Sequence, residues 1–225
     1  MAKSRLPLMP LNAVLFPGMP MPLSVWEPRY LELAQHCIEH DSEFGVALIR
    51  EGAEVGGPVA ETHSIGTTAA IAHVLDAGDH MMVLAVGQRR FQILRTIDDG
   101  PYPEAEVKLL AAEGSAGVSP ELMDDVRSMF ADEIELILQL LGFEGMELEI
   151  PAEAEKLSYM IAAHLRVPLQ AKQELLETER SSQRLARELE VVQKELQEYR
   201  LLLAAREQFA GESGADDAGG VFSVN

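Results

Sequence analysis

Two short stretches have residue types at spacings that catalysis uses. His36-Cys37-Ile38-Glu39-His40 sets two imidazoles at i and i+4 with a glutamate between them, the H-x-x-E-H pattern of inverted zinc peptidases. On a helix such a pair can hold zinc, with the glutamate as base for a metal-bound water. Helical phase argues the other way. Tyr30, Leu31, Ala34, Cys37 and Ile38 fall on one face. His36 and His40 then lie roughly 120–160° from it, at about 100° per residue. They are expected on a solvated face, without a walled pocket or a third ligand. Gly114-Ser115-Ala116-Gly117 looks like the surroundings of a serine nucleophile. A serine needs a nearby base and donors for the oxyanion. The chain beyond it reads as helix only, so a flexible linker is expected. Gly52, Gly56 and Gly57 fit neither phosphate-cradling loop pattern, and no nucleotide is implied. His63, His73, His80 and His164 are scattered, which suits packing roles. No catalytic residue, metal or other cofactor is expected.

What survives is apolar and rich in methionine. Met9, Met19 and Met21 sit among prolines near the N-terminus, and Met81 and Met82 are adjacent on an expected strand. Neighbouring strand residues point to opposite faces, so one of Met81 and Met82 should leave the core. Methionine is flexible and polarizable and recurs on surfaces that accept varied apolar partners. Core filling is the plainer role for any one of them. Met9, Phe16, Met19, Met21 and Trp26 are the candidate peptide-binding residues.

These residues need elements to hold them. Pro7, Pro10, Pro17, Pro20 and Pro22 block helix between Leu6 and Trp26, so two edge-type strands with a turn at Phe16-Pro17-Gly18 are expected. Pro28 opens a helix that Asp41 and Ser42 end. Phe44–Ile49, Ile65–Leu75 and Met81–Val86 read as strands, with a turn at Asp76-Ala77-Gly78-Asp79. Gly87-Gln88 is expected to close a hairpin into Arg90–Ile97. Asp98-Asp99-Gly100-Pro101 turns the chain into Tyr102–Leu110. Six or seven short strands of this kind predict an antiparallel, barrel-like sheet over residues 1–112, with 51–64 as a longer loop. A small-residue boundary at 111–119 precedes a helical subdomain over 119–208. Ser119-Pro120 caps its first helix and Gly142 ends it. A second helix spans about 152–166. One long helix from about Pro168 to Gln208 shows a heptad seam through Leu175, Thr178, Ser182, Leu185, Leu189, Val192, Leu196, Tyr199 and Leu203. Residues 209–225 read as a disordered tail.

Composition narrows the function classes. Apolar residues make up 47% and charged residues 24% of the 225, the balance of a globular protein with a real core. The net charge is −19, with 8 basic and 14 acidic groups in residues 1–112 and 10 and 23 in residues 113–225. Such a chain repels a phosphate backbone and an anionic membrane surface. No stretch reaches the roughly 20 apolar residues of a membrane span, and no signal-length apolar run opens the chain. The one cysteine, Cys37, fits a reducing compartment, and a cytoplasmic location is expected.

The order of several motifs is similar to a known family. Leu6-Pro7-Leu8-Met9-Pro10-Leu11, Leu15-Phe16-Pro17-Gly18-Met19 and Pro22-Leu23 resemble the start of the Lon protease N-terminal, substrate-binding domain. Trp26-Glu27-Pro28-Arg29-Tyr30 looks like the corresponding segment of its stand-alone relatives. Ile65-Gly66-Thr67-Thr68-Ala69, Val86-Gly87-Gln88-Arg89-Arg90-Phe91 and Asp99-Gly100-Pro101-Tyr102 continue the match. Ile161-Ala162-Ala163-His164-Leu165 and Lys172-Gln173-Glu174-Leu175-Leu176-Glu177 resemble the family's helical extension. The resemblance covers about residues 5–205. It implies an α+β fold, a PUA-like pseudo-barrel followed by a helical bundle, and recognition of exposed or unfolded protein segments. A protease or chaperone partner and a role in protein quality control go with it. The ATPase and Ser–Lys protease domains of full-length Lon have no counterpart in these motifs, so no catalytic residue carries over. Two readings stand side by side: a non-catalytic segment binder, and a coiled-coil scaffold or dimeric adaptor using the Leu185–Leu203 seam, with Glu195 and Arg200 spaced as an interchain pair. An RNA-binding barrel and a zinc hydrolase rank below both.

Overall fold

Prolines in the first strand dictate how it can pair. β1 (Ser4–Leu11) has Pro7 and Pro10, which cannot donate to a ladder. Its two halves use different partners. Ser4–Pro7 runs antiparallel to β7 (Glu104–Leu109), and Leu8–Leu11 runs parallel to β3 (Phe44–Glu51). With β5 (Ile65–Asp76) and β6 (Met81–Ile97), the pairings β1–β7–β6–β5–β3–β1 close on themselves. β4 (Glu61–Thr62) extends β3, and β2 (Pro20–Val25) pairs with the first half of β6. The expected antiparallel sheet is therefore corrected at one seam, where β1 and β3 are parallel. This computed structural model describes residues 4–112, 117–143 and 148–215. Gly114-Ser115-Ala116 lies outside the described residues, as do residues 216–225.

β6 also corrects an expectation. It runs unbroken through Gly87-Gln88, where a hairpin was anticipated. A side chain at Gly87 would meet the Phe16 carbonyl oxygen and Leu15. Its N–H donates to Met19 O (3.0 Å), and its carbonyl accepts from Gly18 N (2.8 Å). The glycine serves close approach of two chain segments, not a turn. Gly45 and Gly66 do the same for the Phe91 ring, which occupies the space a Cβ would need at either position.

Two groups of buried side chains fill this sheet. One centres on Leu8, Phe91, Ala105 and Val107, the other on Met9, Leu33, Phe44 and Val46. α1 (Pro28–His40) covers the second with Tyr30, Leu33, Ala34 and Cys37. Leu33 replaces Ile38 on the buried face, and Ile38 is 39% exposed. Of the methionine pair, Met81 packs on the core while Met82 is exposed, as strand alternation requires.

The helices are α2 (Pro120–Leu141), α3 (Ala154–His164), α4 (Leu169–Glu177) and α5 (Ser181–Ala215). Ser119 caps α2 through Leu122 N (3.2 Å), and Gly142 ends it with φ 80°. The chain divides into two compact units, Met1–Val118 with Pro151–Arg184, and Ser119–Ile150 with Leu185–Asn225. The residues expected to form one helical subdomain are thus shared, with α3 and α4 belonging to the sheet unit. Gln173 Nε2 donates to Ile65 O (3.0 Å), and Arg90 donates to the carbonyls of Leu176 (2.8 Å) and Thr178 (3.0 Å). The anticipated continuous helix from Pro168 is broken at residues 178–180. α5 in turn continues to Ala215, so helix stands where a tail was expected over the first residues of the 209–225 segment.

In the second unit α2 and α5 run parallel. Arg200 pairs with Asp132 (3.4 Å), and Arg206 donates to Leu140 O (2.7 Å). Val126 and Phe130 of α2 and Leu185, Val192 and Leu196 of α5 are buried.

Candidate functional site

An apolar cleft lies where β1, β2 and the start of α1 meet the loop before β4. Its volume is about 310 Å³. Met9, Leu11, Val25 and Tyr30 form the floor and are buried. Pro22, Leu23, Trp26 and Val55 form the walls, with Trp26 56% and Val55 39% exposed. Local chemistry explains this shape. Strand alternation in β2 turns Val25 inward beside outward-facing Ser24, and Trp26 falls just before the helix start at Pro28. Burial pushes the Tyr30 phenol above its ordinary range, so it stays neutral in the floor.

The 51–60 loop is tied down at both ends of the cleft. Glu54 accepts from Asn12 N (3.0 Å) and Asn12 Nδ2 (3.1 Å). Arg29 Nε lies 2.8 Å from Glu27 Oε1, its NH1 donates to Gly57 O (3.3 Å), and Gly56 N donates to Glu27 (3.4 Å). Arg29 also stacks over Tyr30, 4.9 Å from the ring centroid. Left-handed φ at Gly56 (72°) and Gly57 (71°) lets the loop turn back onto Arg29. Glu27 and Glu54 therefore give the cleft a polar rim, while its interior is apolar.

Of the five sequence candidates, the cleft brings together Met9 and Trp26. Met19, in the turn segment before β2, and Met21, on β2, are half-buried, and Met21 packs on the core. Phe16 is corrected outright. It is 1% exposed, with its ring 6.3 Å from that of Tyr159, so it builds the core of the sheet unit and offers no binding surface. Leu23, Tyr30 and Val55 were missed. Leu23 shared the proline-rich signal of its neighbours, whereas Val55 sits in a glycine loop whose position only the fold defines.

The H-x-x-E-H segment takes the position its phase demands, in part. His40 is exposed, but His36 is half-buried, 5.6 Å from the Tyr102 ring and stacked on His40 at 4.3 Å. The His40 Nδ1 is 2.9 Å from His36 O, and Glu39 accepts from Gln35 (2.7 Å). His36 lines an open groove with Glu32, Gln35, Glu39 and Tyr102, and His40 is not part of it. Among the described residues no group of three histidine, cysteine or acidic side chains could hold a metal ion. Cys37 is 2% exposed, and burial pushes its thiol up from the ordinary value. A raised pKa places thiolate, the nucleophilic form, at higher pH. Alkylation by iodoacetamide at pH 8 should accordingly run at least tenfold slower in the folded protein than in denaturant, and equal rates would contradict the burial of α1.

A mixed sheet closed by β1, with α3 and α4 docked on it, defines a fold of the Lon N-terminal type. The structure superposes on the Lon N-terminal domain protein from Xanthomonas campestris with a TM-score of 0.63, at 24% identity over 82% of this chain and 96% of that one. It superposes on the N-terminal domain of Mycobacterium avium complex Lon protease with a TM-score of 0.60, at 17% identity over 84% and 98%. The model of the ATP-dependent protease La (LON) substrate-binding domain matches residues 5–194, and the chain belongs to that family. Curated relatives include the Lon protease of Anaeromyxobacter dehalogenans, 29% identical over 83% of this chain, and Lon protease 2 of Myxococcus xanthus, 29% identical over 77%. The chain spans only 23% and 21% of those two proteins. No described helix is long and apolar enough to cross a membrane.

Proposed function

We propose that the chain is a non-catalytic module that binds exposed or unfolded protein segments in cytoplasmic protein quality control, through the cleft beside Trp26. The observation that supports this most is an apolar cleft left open at Trp26 in a chain belonging to a substrate-binding family. A half-exposed tryptophan beside an apolar floor is the residue type that anchors partners most strongly. The reading includes the finer architecture, a PUA-like pseudo-barrel with a helical extension. A protease or chaperone that receives the bound segment is the partner it implies.

The dimeric-adaptor alternative has less behind it. Leu185, Val192 and Leu196 of the seam are already buried within the single chain. Arg200, spaced to meet Glu195 of another chain, pairs with Asp132 of its own. The net charge of −19 opposes RNA.

Fluorescence anisotropy with labelled, reduced and carboxymethylated α-lactalbumin tests the proposal. Binding is expected, and Trp26→Ala should weaken it about 30-fold, the effect of losing an anchor worth about 2 kcal/mol. No binding to any unfolded chain, or equal binding by the variant, would sink the cleft reading.

A further inference from the structure

The ribbon β2–β6–β5 has two outer edges, and they are built differently. Ala77 N donates to His80 O (3.0 Å), which fixes the ladder phase between β5 and β6. Bonded and non-bonded pairs alternate in an antiparallel ladder. Leu75 with Met82 and His73 with Leu84 are therefore bonded pairs, and Val74 and Asp76 turn their N–H and C=O groups outward. The same phase carried across β6 makes Pro20, Pro22 and Ser24 the outward positions of β2. Two of those three lack an N–H, so that edge is blunted against strand addition.

The β5 edge has no such protection. β3 pairs with β5 only at Thr67–Ala69, and beyond Ala69 the outer side of β5 meets no strand among the described residues. The register shift between Ile71 and His73 leaves His73–Asp76 regular. Val74 is 41% exposed and Leu75 67%. A groove of about 430 Å³ lies between this edge and the end of α1, with buried Cys37 and half-buried Ala70 at its base and Ile38 and Ala72 at its sides. A strand added beside β5 would lie about 4.8 Å away, within this groove. Asp41 and Glu43 border the groove, and Asp76 and Asp79 follow along the ribbon. One of these carboxylates, Glu43, lies 3.9 Å from Arg89.

We propose that the β5 edge takes an extended apolar segment flanked by lysine or arginine, added as one further strand of about five residues. Backbone bonds to Val74 and Asp76 supply affinity, Ile38 and Leu75 receive alternate side chains, and the acidic border selects basic flanks. The same acidic border makes a second copy of this edge a repelling partner. The proposal rests on the segment-binding reading for its ligand class, but uses a surface separate from the Trp26 cleft.

The test uses three labelled nonapeptides in anisotropy with the full chain. The first alternates valine and threonine between lysine pairs. The second has the same sequence with alternate backbone nitrogens methylated, and the third has glutamates for the lysines. The first should bind, and the other two at least tenfold more weakly. Val74→Pro, which removes an outward N–H and no ladder bond, should weaken the first peptide at least tenfold. If that variant does not fold, the methylated peptide decides the matter on the native chain. Equal binding of methylated and unmethylated peptides overturns the proposal. So does peptide binding that Trp26→Ala abolishes and Val74→Pro leaves intact, an outcome under which the cleft reading stands alone. Concentration-dependent dimerisation lost in Val74→Pro would also overturn it, because the edge would then serve a second copy.

Discussion

Gly87→Ala should unfold the sheet unit or bring it close to unfolding. The added methyl would lie inside the van der Waals shell of the Phe16 carbonyl oxygen, a backbone atom that cannot swing aside. Leu15 Cγ, at 3.2 Å, blocks the other direction. Relief requires separating β6 from the turn that precedes β2, which breaks the Gly18–Gly87 and Gly87–Met19 bonds. Overpacking of a tight site costs about 3 kcal/mol, and backbone clashes fall at the upper end. For a chain of this size about 3 kcal/mol lowers the melting temperature by about 6–12 °C. Any protein that remains folded should also bind unfolded chains less well, because β2 supplies two walls of the cleft. A melting temperature within 2 °C of the parent, an allowance of about 1 kcal/mol at most, would show that the approach of Phe16 to β6 is not tight.

Arg184→Ala should be at least as damaging, by a different route. Arg184 is fully buried. Its Nε donates to Ser158 Oγ (2.7 Å), its NH1 donates to Thr178 O (2.8 Å), and its guanidinium lies 4.2 Å from the Tyr159 centroid. Thr178 O also accepts from Arg90 (3.0 Å). Two arginines thus hold the carbonyls that α4 exposes where it ends, groups that would otherwise be buried without donors. Hydrogen bonds to charged groups contribute about 1.5–3 kcal/mol each, and truncation leaves a cavity as well. A loss of about 3–5 kcal/mol is expected. Arg184→Lys should not restore it, because an ammonium cannot reach Ser158 and Thr178 in one fork while stacking on Tyr159. Thermal unfolding followed by circular dichroism measures both variants. Full stability in the lysine variant would show that charge alone, without fork geometry, holds the break between α4 and α5.

The two sites mark where local reading and fold part company. Gly87-Gln88 has turn composition, yet the glycine exists so that another segment can touch β6. Thr178 and Ser182 weaken the heptad pattern without ending it, and the helix breaks there because buried arginines from β6 and α5 capture its carbonyls. Both outcomes depend on residues far apart in the chain, which no window of sequence contains. The Leu33-for-Ile38 exchange on the buried face of α1 is smaller and has the same origin. Several neighbouring phases of an amphipathic helix are apolar enough, and the sheet it covers selects one.

Sequence by itself determined a good deal. Prolines at 7, 10, 20 and 22 excluded helix and limited how both strands pair, because a missing N–H cannot be supplied by context. Ser119, Pro120 and Gly142 bounded α2 through local cap chemistry, and helical phase kept His40 on an exposed face. The ordered motifs placed the chain in its family. Tertiary structure alone decided that β1 serves two partners and closes the sheet, and that α3 and α4 belong with the sheet rather than with α2. It also sorted the binding candidates, burying Phe16 in the core, leaving Trp26 open and bringing Val55 across from it. Burial and proximity are properties of the folded arrangement, so residues of equal apolarity in the sequence end in opposite roles.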